Sequence, residues 1–89
     1  MIKLFGKNGC PDCEWQKKAM LAVYSDSQWI FINAEDDGEG TAEANRLDIR
    51  IFPAIVIENE LGQAIMIKEG KIAPLDLKRE MAYLTKKYI

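Results

Sequence analysis

The sequence predicts an α/β domain in the order βαβαββα, with a four-stranded mixed sheet flanked by helices. Three observations point there. Short apolar runs of strand character alternate with amphipathic stretches through the first half of the chain. In the second half two β-rich runs, Ala54-Ile55-Val56-Ile57 and Ala64-Ile65-Met66-Ile67, are separated by little more than a turn. The length of 89 residues, with 48% hydrophobic, suits one core and is too short for two, so residues 1–89 read as a single domain.

Ile2-Lys3-Leu4-Phe5 alternates in polarity and reads as the first strand. Glu14 to Tyr24 reads as an imperfectly amphipathic helix, with Trp15, Ala19, Met20, Ala22 and Val23 as its apolar positions and Gln16, Lys17 and Lys18 as polar positions between them. Ser25-Asp26-Ser27 breaks the pattern, and Trp29-Ile30-Phe31-Ile32 is a nearly continuous apolar run, typical of a strand covered on both faces, with Trp29 assigned to the core. Strand, helix and strand in that order make a βαβ unit, whose right-handed crossover leaves the two strands parallel. Asp36 to Gly40 is an acidic, glycine-containing loop, and a short helix over Thr41 to Leu47 follows, with Thr41 as N-cap.

The chain then runs through Asp48-Ile49-Arg50-Ile51-Phe52 to Pro53, and Ala54 to Ile57 forms the third strand. Glu58-Asn59-Glu60-Leu61-Gly62 has turn chemistry, so the run from Ala64 pairs back as an antiparallel hairpin and ends at Lys68. Glu69-Gly70-Lys71 is a second turn. From Pro74 to Tyr88, Leu75, Leu77, Met81, Leu84 and Tyr88 are spaced for a terminal amphipathic helix. No internal repeat, low-complexity tract or interdomain linker interrupts this order.

A formal charge of -2 and a pI near 5.1, with basic residues clustered only in pairs such as Lys17-Lys18 and Lys86-Lys87, argue against a nucleic-acid partner. No apolar run is long enough for a signal peptide or a bilayer span, and the expectation is a cytoplasmic monomer without membrane contact. The carboxylates of Glu35 to Glu39 lack the regular ligand positions of a calcium loop and read as a solvated turn.

Both cysteines lie in Gly9-Cys10-Pro11-Asp12-Cys13, at the turn between the first strand and the first helix. Pro11 suits the first helical position, because the N–H it lacks is one the helix has no use for there. Cys10 is then the N-cap. Unpaired amides and the positive end of the helix dipole favour a thiolate at that point, so Cys10 is expected to have a lowered pKa, to be exposed and to act as nucleophile. Cys13, close to one turn further on and shielded, is placed to attack a mixed disulfide on Cys10. A disulfide closing so small a loop removes little entropy from the unfolded chain, which makes a catalytic or metal-binding role the better reading than a structural staple. Structural zinc asks for four ligands, and the chain has no histidine and no second cysteine pair, so no metal is expected.

A βα turn carrying Cys-Pro-x-Cys, a βαβ half, then a proline directly before a hairpin and a last helix resembles the thioredoxin fold in its short, glutaredoxin-like form, over essentially the whole chain. The residues that carry the resemblance are Lys7, Cys10-Pro11-Asp12-Cys13 with Lys17-Lys18 behind, and Phe52-Pro53. The resemblance implies that Pro53 is cis and faces the cysteine pair, and that the backbone of Phe52 pairs with an extended substrate. It also gives Lys7 a role beside Cys10, as a cation favouring the thiolate or a handle for a substrate carboxylate. Asp12 stands where glutaredoxins usually have an aromatic residue. Of the Gly-Gly-Ser/Thr-Asp segment that holds glutathione in that family only Gly70 remains, in Glu69-Gly70-Lys71-Ile72-Ala73-Pro74. The Trp-Cys-Gly-Pro-Cys motif of thioredoxin is absent too. A related small class, glutaredoxin-like in sequence and often reduced by thioredoxin reductase, fits as well.

The resemblance therefore implies a dithiol-disulfide oxidoreductase with no tightly bound cofactor. Its expected partners are disulfide-containing proteins, with ribonucleotide reductase as a family-level example, and its electron donor is glutathione or thioredoxin reductase. The alternative is a thioredoxin-fold binding module, or a glutathione-dependent iron-sulfur cluster carrier, whose cysteines are not turned over.

Overall fold

A computed structural model describes residues 1–36 and 38–88, with side chains through residue 84. Asp37 of the expected acidic loop and the Tyr88 side chain of the expected terminal apolar face lie outside the described residues. The elements run β1 (Ile2–Gly6), α1 (Pro11–Val23), β2 (Trp29–Asn33), α2 (Glu39–Arg46), β3 (Ala54–Glu58), β4 (Ala64–Glu69) and α3 (Pro74–Tyr88), which is the order expected. The four strands form one mixed sheet in the order β2-β1-β3-β4. β1 and β2 are parallel, with Leu4 opposite Phe31, while β3 is antiparallel to both β1 and β4.

The pleat divides the core in two. On one face Ile2, Leu4, Ile55 and Ile57 pack with Met20 of α1, with Tyr24 just past its end, and with Leu77 and Leu84 of α3. On the other, Phe5, Ala54 and Val56 pack with Ala44 of α2 and with Ile49. Lys3 belongs to this second face, where its Nζ lies 2.8 Å from Glu43 of α2 and 3.1 Å from Glu58 of β3. Burial works against the Lys3 charge, but the hydrogen bonds and charges of the two glutamates outweigh it and hold its pKa above the ordinary lysine value. The hydrogen bond from Lys3 holds the Glu43 carboxyl below its ordinary range.

Four expectations are corrected. β2 is an edge strand and not a covered one: Trp29 is buried, but Ile30 is 41% and Phe31 36% exposed. The helix expected from Thr41 begins at Glu39, and Thr41 is not its cap. Asp36 does that work, its carboxylate accepting from the backbone N–H groups of Gly38, Gly40 and Thr41, while the Thr41 hydroxyl donates to the Ala34 carbonyl 2.8 Å away. Those bonds, with Gly38 first, keep the Asp36 pKa below the ordinary carboxylate value. Leu75 is not part of the buried face of α3 but is exposed. On α1, Trp15 and Ala22 are exposed, whereas Gln16 is buried completely.

Candidate functional site

β1 ends at Gly6, and the turn through Gly9, whose φ of 63° suits glycine, delivers Cys10 to the start of α1. Cys10 is the N-cap, in extended conformation, with Pro11 as the first helical residue. Its Sγ accepts a hydrogen bond from the Cys13 N–H at 3.1 Å, satisfying one of the amides that a helix start leaves open. Cys10 and Cys13 form a disulfide, with Cα atoms 5.2 Å apart. In this oxidised state the expected exposure of Cys10 is not found. The side chain is largely covered, at 9% exposure, although it remains more accessible than Cys13 at 1%.

Gly6, at the end of β1, lies close to both the Phe31 ring and Cys13. A Cβ on Gly6 would come within 2.7 Å of the Phe31 ring and 3.3 Å of the Cys13 Cβ, so a larger residue there would have to displace the partly exposed ring. Lys17 lies over the other part of that assembly, its Nζ 4.3 Å from the centre of the Phe31 ring.

The Phe52–Pro53 bond is cis, and Pro53 is buried. Phe5 pairs with Ala54, so Pro53 enters the sheet at the end where β1 leaves for Cys10. Two bonds fasten this segment to the end of β4: the Ile51 N–H donates to the Glu69 carboxylate at 3.0 Å, and the Gly70 N–H donates to the Pro53 carbonyl at 2.7 Å. Gly70 has a φ of 90°, a conformation that disfavours any side chain, which gives it a backbone reason to be glycine.

Asp12 is exposed and pairs with Lys71, at 3.4 Å. Lys71 also lies 5.4 Å from the centre of the exposed Trp15 ring. Lys7, the cation expected beside Cys10, is exposed and makes no ion pair among the described residues; Lys71 is the cation the fold sets against the cysteine turn. Sequence reasoning passed over Lys71 because only folding returns the β4–α3 turn to α1.

Gln16 was missed as well. Its Nε2 donates to the Ile72 carbonyl and its Oε1 accepts from the Ile72 N–H, both at 2.9 Å, with no exposure of the side chain. A signal was present: Cys13, Gln16 and Met20 are spaced three and four apart, and counting the cysteine as an apolar residue would have put Gln16 on the buried stripe. The site thus joins the cysteine turn, the Phe52–Pro53 segment and residues 70–72, and its cysteine pair is one that stores or releases two electrons.

No family model matches this chain, and no curated protein matches it. Solved structures do. StoA from Bacillus subtilis is 18% identical with a TM-score of 0.68, over 88% of this chain and 78% of that one. Thioredoxin f2 from Chlamydomonas reinhardtii gives a TM-score of 0.69 at 11% identity, over 98% and 77%. The oxidized form of mitochondrial thioredoxin 3 from Saccharomyces cerevisiae gives 0.65 at 21% identity, over 93% and 76%. At these identities the likeness is one of fold: the chain has the thioredoxin fold, and a cysteine pair at its first helix.

Proposed function

We propose that this chain is a dithiol-disulfide oxidoreductase acting on protein disulfides, and the observation that carries the proposal is the Cys10–Cys13 pair at the N-terminus of α1 in a thioredoxin fold. In the reduced protein the Cys10 thiolate attacks one sulfur of a substrate disulfide, forming a mixed disulfide and releasing the first substrate thiolate, which takes up a proton. The Cys13 thiolate then attacks the Cys10 sulfur, releasing the second substrate thiolate and leaving the disulfide found here. Two electrons pass to the substrate and are restored by a thiol donor or a flavoprotein reductase. Helix amides and dipole favour the attacking thiolate, and the lower exposure of Cys13 suits a resolving role. Phe52 supplies backbone groups to an extended substrate, with Pro53 and Gly70 bounding the same place; Pro11 starts the helix that carries both sulfurs.

Glutathione and thioredoxin reductase are the two donors to compare, the substrates are disulfide-containing proteins of the ribonucleotide reductase kind, and the expected setting is the cytoplasm. The loss of all but Gly70 from the glutathione-holding segment favours the thioredoxin-like donor. The test is turnover of a protein disulfide with each donor, together with Cys13→Ser and Cys10→Ser. Cys13→Ser should accumulate a mixed disulfide with substrate and Cys10→Ser should be inert. Trapping by Cys10→Ser alone reverses the roles. A protein that never turns over and elutes as a coloured, glutathione-dependent dimer is a cluster carrier and overturns the proposal.

A further inference from the structure

Residues 70, 71 and 72 are each tied to a different part of the site. The Gly70 N–H reaches the Pro53 carbonyl, the Lys71 ammonium reaches Asp12, and both backbone groups of Ile72 are taken by Gln16. The last tie differs from the Asp12–Lys71 pair in being withdrawn from water, since Gln16 has no exposure. A carboxamide offers a donor and an acceptor side by side, and the Ile72 N–H and C=O offer the complement, so the side chain takes the part that a neighbouring strand would take. An aliphatic residue would fill the same volume but leave a buried N–H and a buried C=O without partners. Gln16 stands one turn behind Cys13 on the same face of α1.

We propose that Gln16 is a positioning residue for protein substrates: by fixing Ile72 it fixes the Gly70–Ile72 segment, and through Gly70 the Phe52–Pro53 segment, at the distance from Cys10 that an extended chain needs. This deepens the oxidoreductase reading above and rests on it. The role is one of alignment. Substrates long enough to contact residues 52 and 70–72 depend on it more than a small disulfide that meets only the sulfurs.

The test compares Gln16→Leu and Gln16→Glu with the parent chain, using insulin as the protein disulfide and bis(2-hydroxyethyl) disulfide as the small one. In Gln16→Leu the ratio of the insulin KM to the small-disulfide KM should rise about tenfold, the scale of one lost buried hydrogen-bond partnership. Gln16→Glu adds a readout that a plain brace would not move. A protonated carboxyl can both donate to the Ile72 carbonyl and accept from its N–H, whereas a carboxylate can only accept. The KM ratio relative to the parent chain at the same pH should therefore stay near one in acid and climb as the carboxyl ionises, and this comparison holds even if Gln16→Leu does not fold. An unchanged ratio in the variants, with only a lower Tm, overturns the positioning role while leaving the oxidoreductase reading intact. A parent chain that reduces neither disulfide overturns the reading itself, and the inference with it.

Discussion

Asp12 carries the one charge inside the Cys10-Pro11-Asp12-Cys13 turn, and Lys71 at 3.4 Å opposes it. Alone, the carboxylate would disfavour a Cys10 thiolate by like-charge repulsion, and alone the ammonium would favour it. Both side chains are about half exposed, at 60% and 48%, so solvent screens each effect. The two single substitutions should shift the site in opposite directions. Asp12→Asn leaves Lys71 unopposed, stabilises the dithiol form and raises the reduction potential; Lys71→Met leaves Asp12 unopposed and lowers it. Each shift should be on the order of 10–20 mV, the redox equivalent of an exposed pair's contribution. Equilibration against a glutathione buffer measures both. Shifts of the same sign would show that the pair acts through the shape of the turn and not through charge.

At the scale of elements, α2 is held to the end of β2 by the Asp36 carboxylate and by a close approach at Gly40. A Cβ at Gly40 would overlap the backbone carbonyl oxygen of Asn33, and backbone cannot swing aside as a side chain can. Gly40→Ala should therefore cost about 3 kcal/mol, at the severe end for overpacking, with a matching loss in denaturant midpoint. Gly38 is the control, because a Cβ there would meet nothing nearer than 3.8 Å. A loss at Gly40 as small as that at Gly38 would mean that the helix start shifts to admit the methyl group. The same element brings Glu43 to Lys3, and so joins α2 to β1 by charge as well as by the Phe5 and Ala44 packing.

For the whole molecule, the Lys3–Glu43–Glu58 group gives stability a dependence on pH at both ends. Glu43 has its pKa lowered by folding, so the unfolded chain binds more protons in the acid range, and the stabilisation present at neutral pH is lost as the pH falls through the folded value. Asp36, lowered by its backbone hydrogen bonds, acts in the same direction. Lys3 has its pKa raised by folding, so its contribution is complete below the ordinary lysine value and is lost as the pH rises through the folded one. Lys3→Met should cost about 2 kcal/mol near neutrality, the scale of hydrogen bonds to a charged group, with the gap in Tm narrowing below about pH 4 and above about pH 10.5. A gap that does not change with pH would assign the loss to the lysine stem's packing. This group lies on the sheet face opposite α1 and its cysteine pair.

The order of elements and the position of the cysteine pair were legible in the chain because the signals are local. Strand runs, the turn at Glu58 to Gly62, Pro11 as first helical residue and Cys10 as N-cap all rest on residues within a few positions of one another. Tertiary structure decided what depends on distant partners. Trp29-Ile30-Phe31-Ile32 has the composition of a covered strand, yet whether its faces are covered is set by the sheet order, which puts β2 at an edge. Gln16 looks like a surface residue by type; it is buried because Ile72, 56 residues away, offers the matching pair of backbone groups. Lys71 rather than Lys7 meets the cysteine turn for the same reason: proximity in sequence is a poor guide to charge pairing once β4 returns the chain to the start of α1. A polar or charged side chain reads in sequence by its type alone, and only the folded chain decides whether it meets water or a partner.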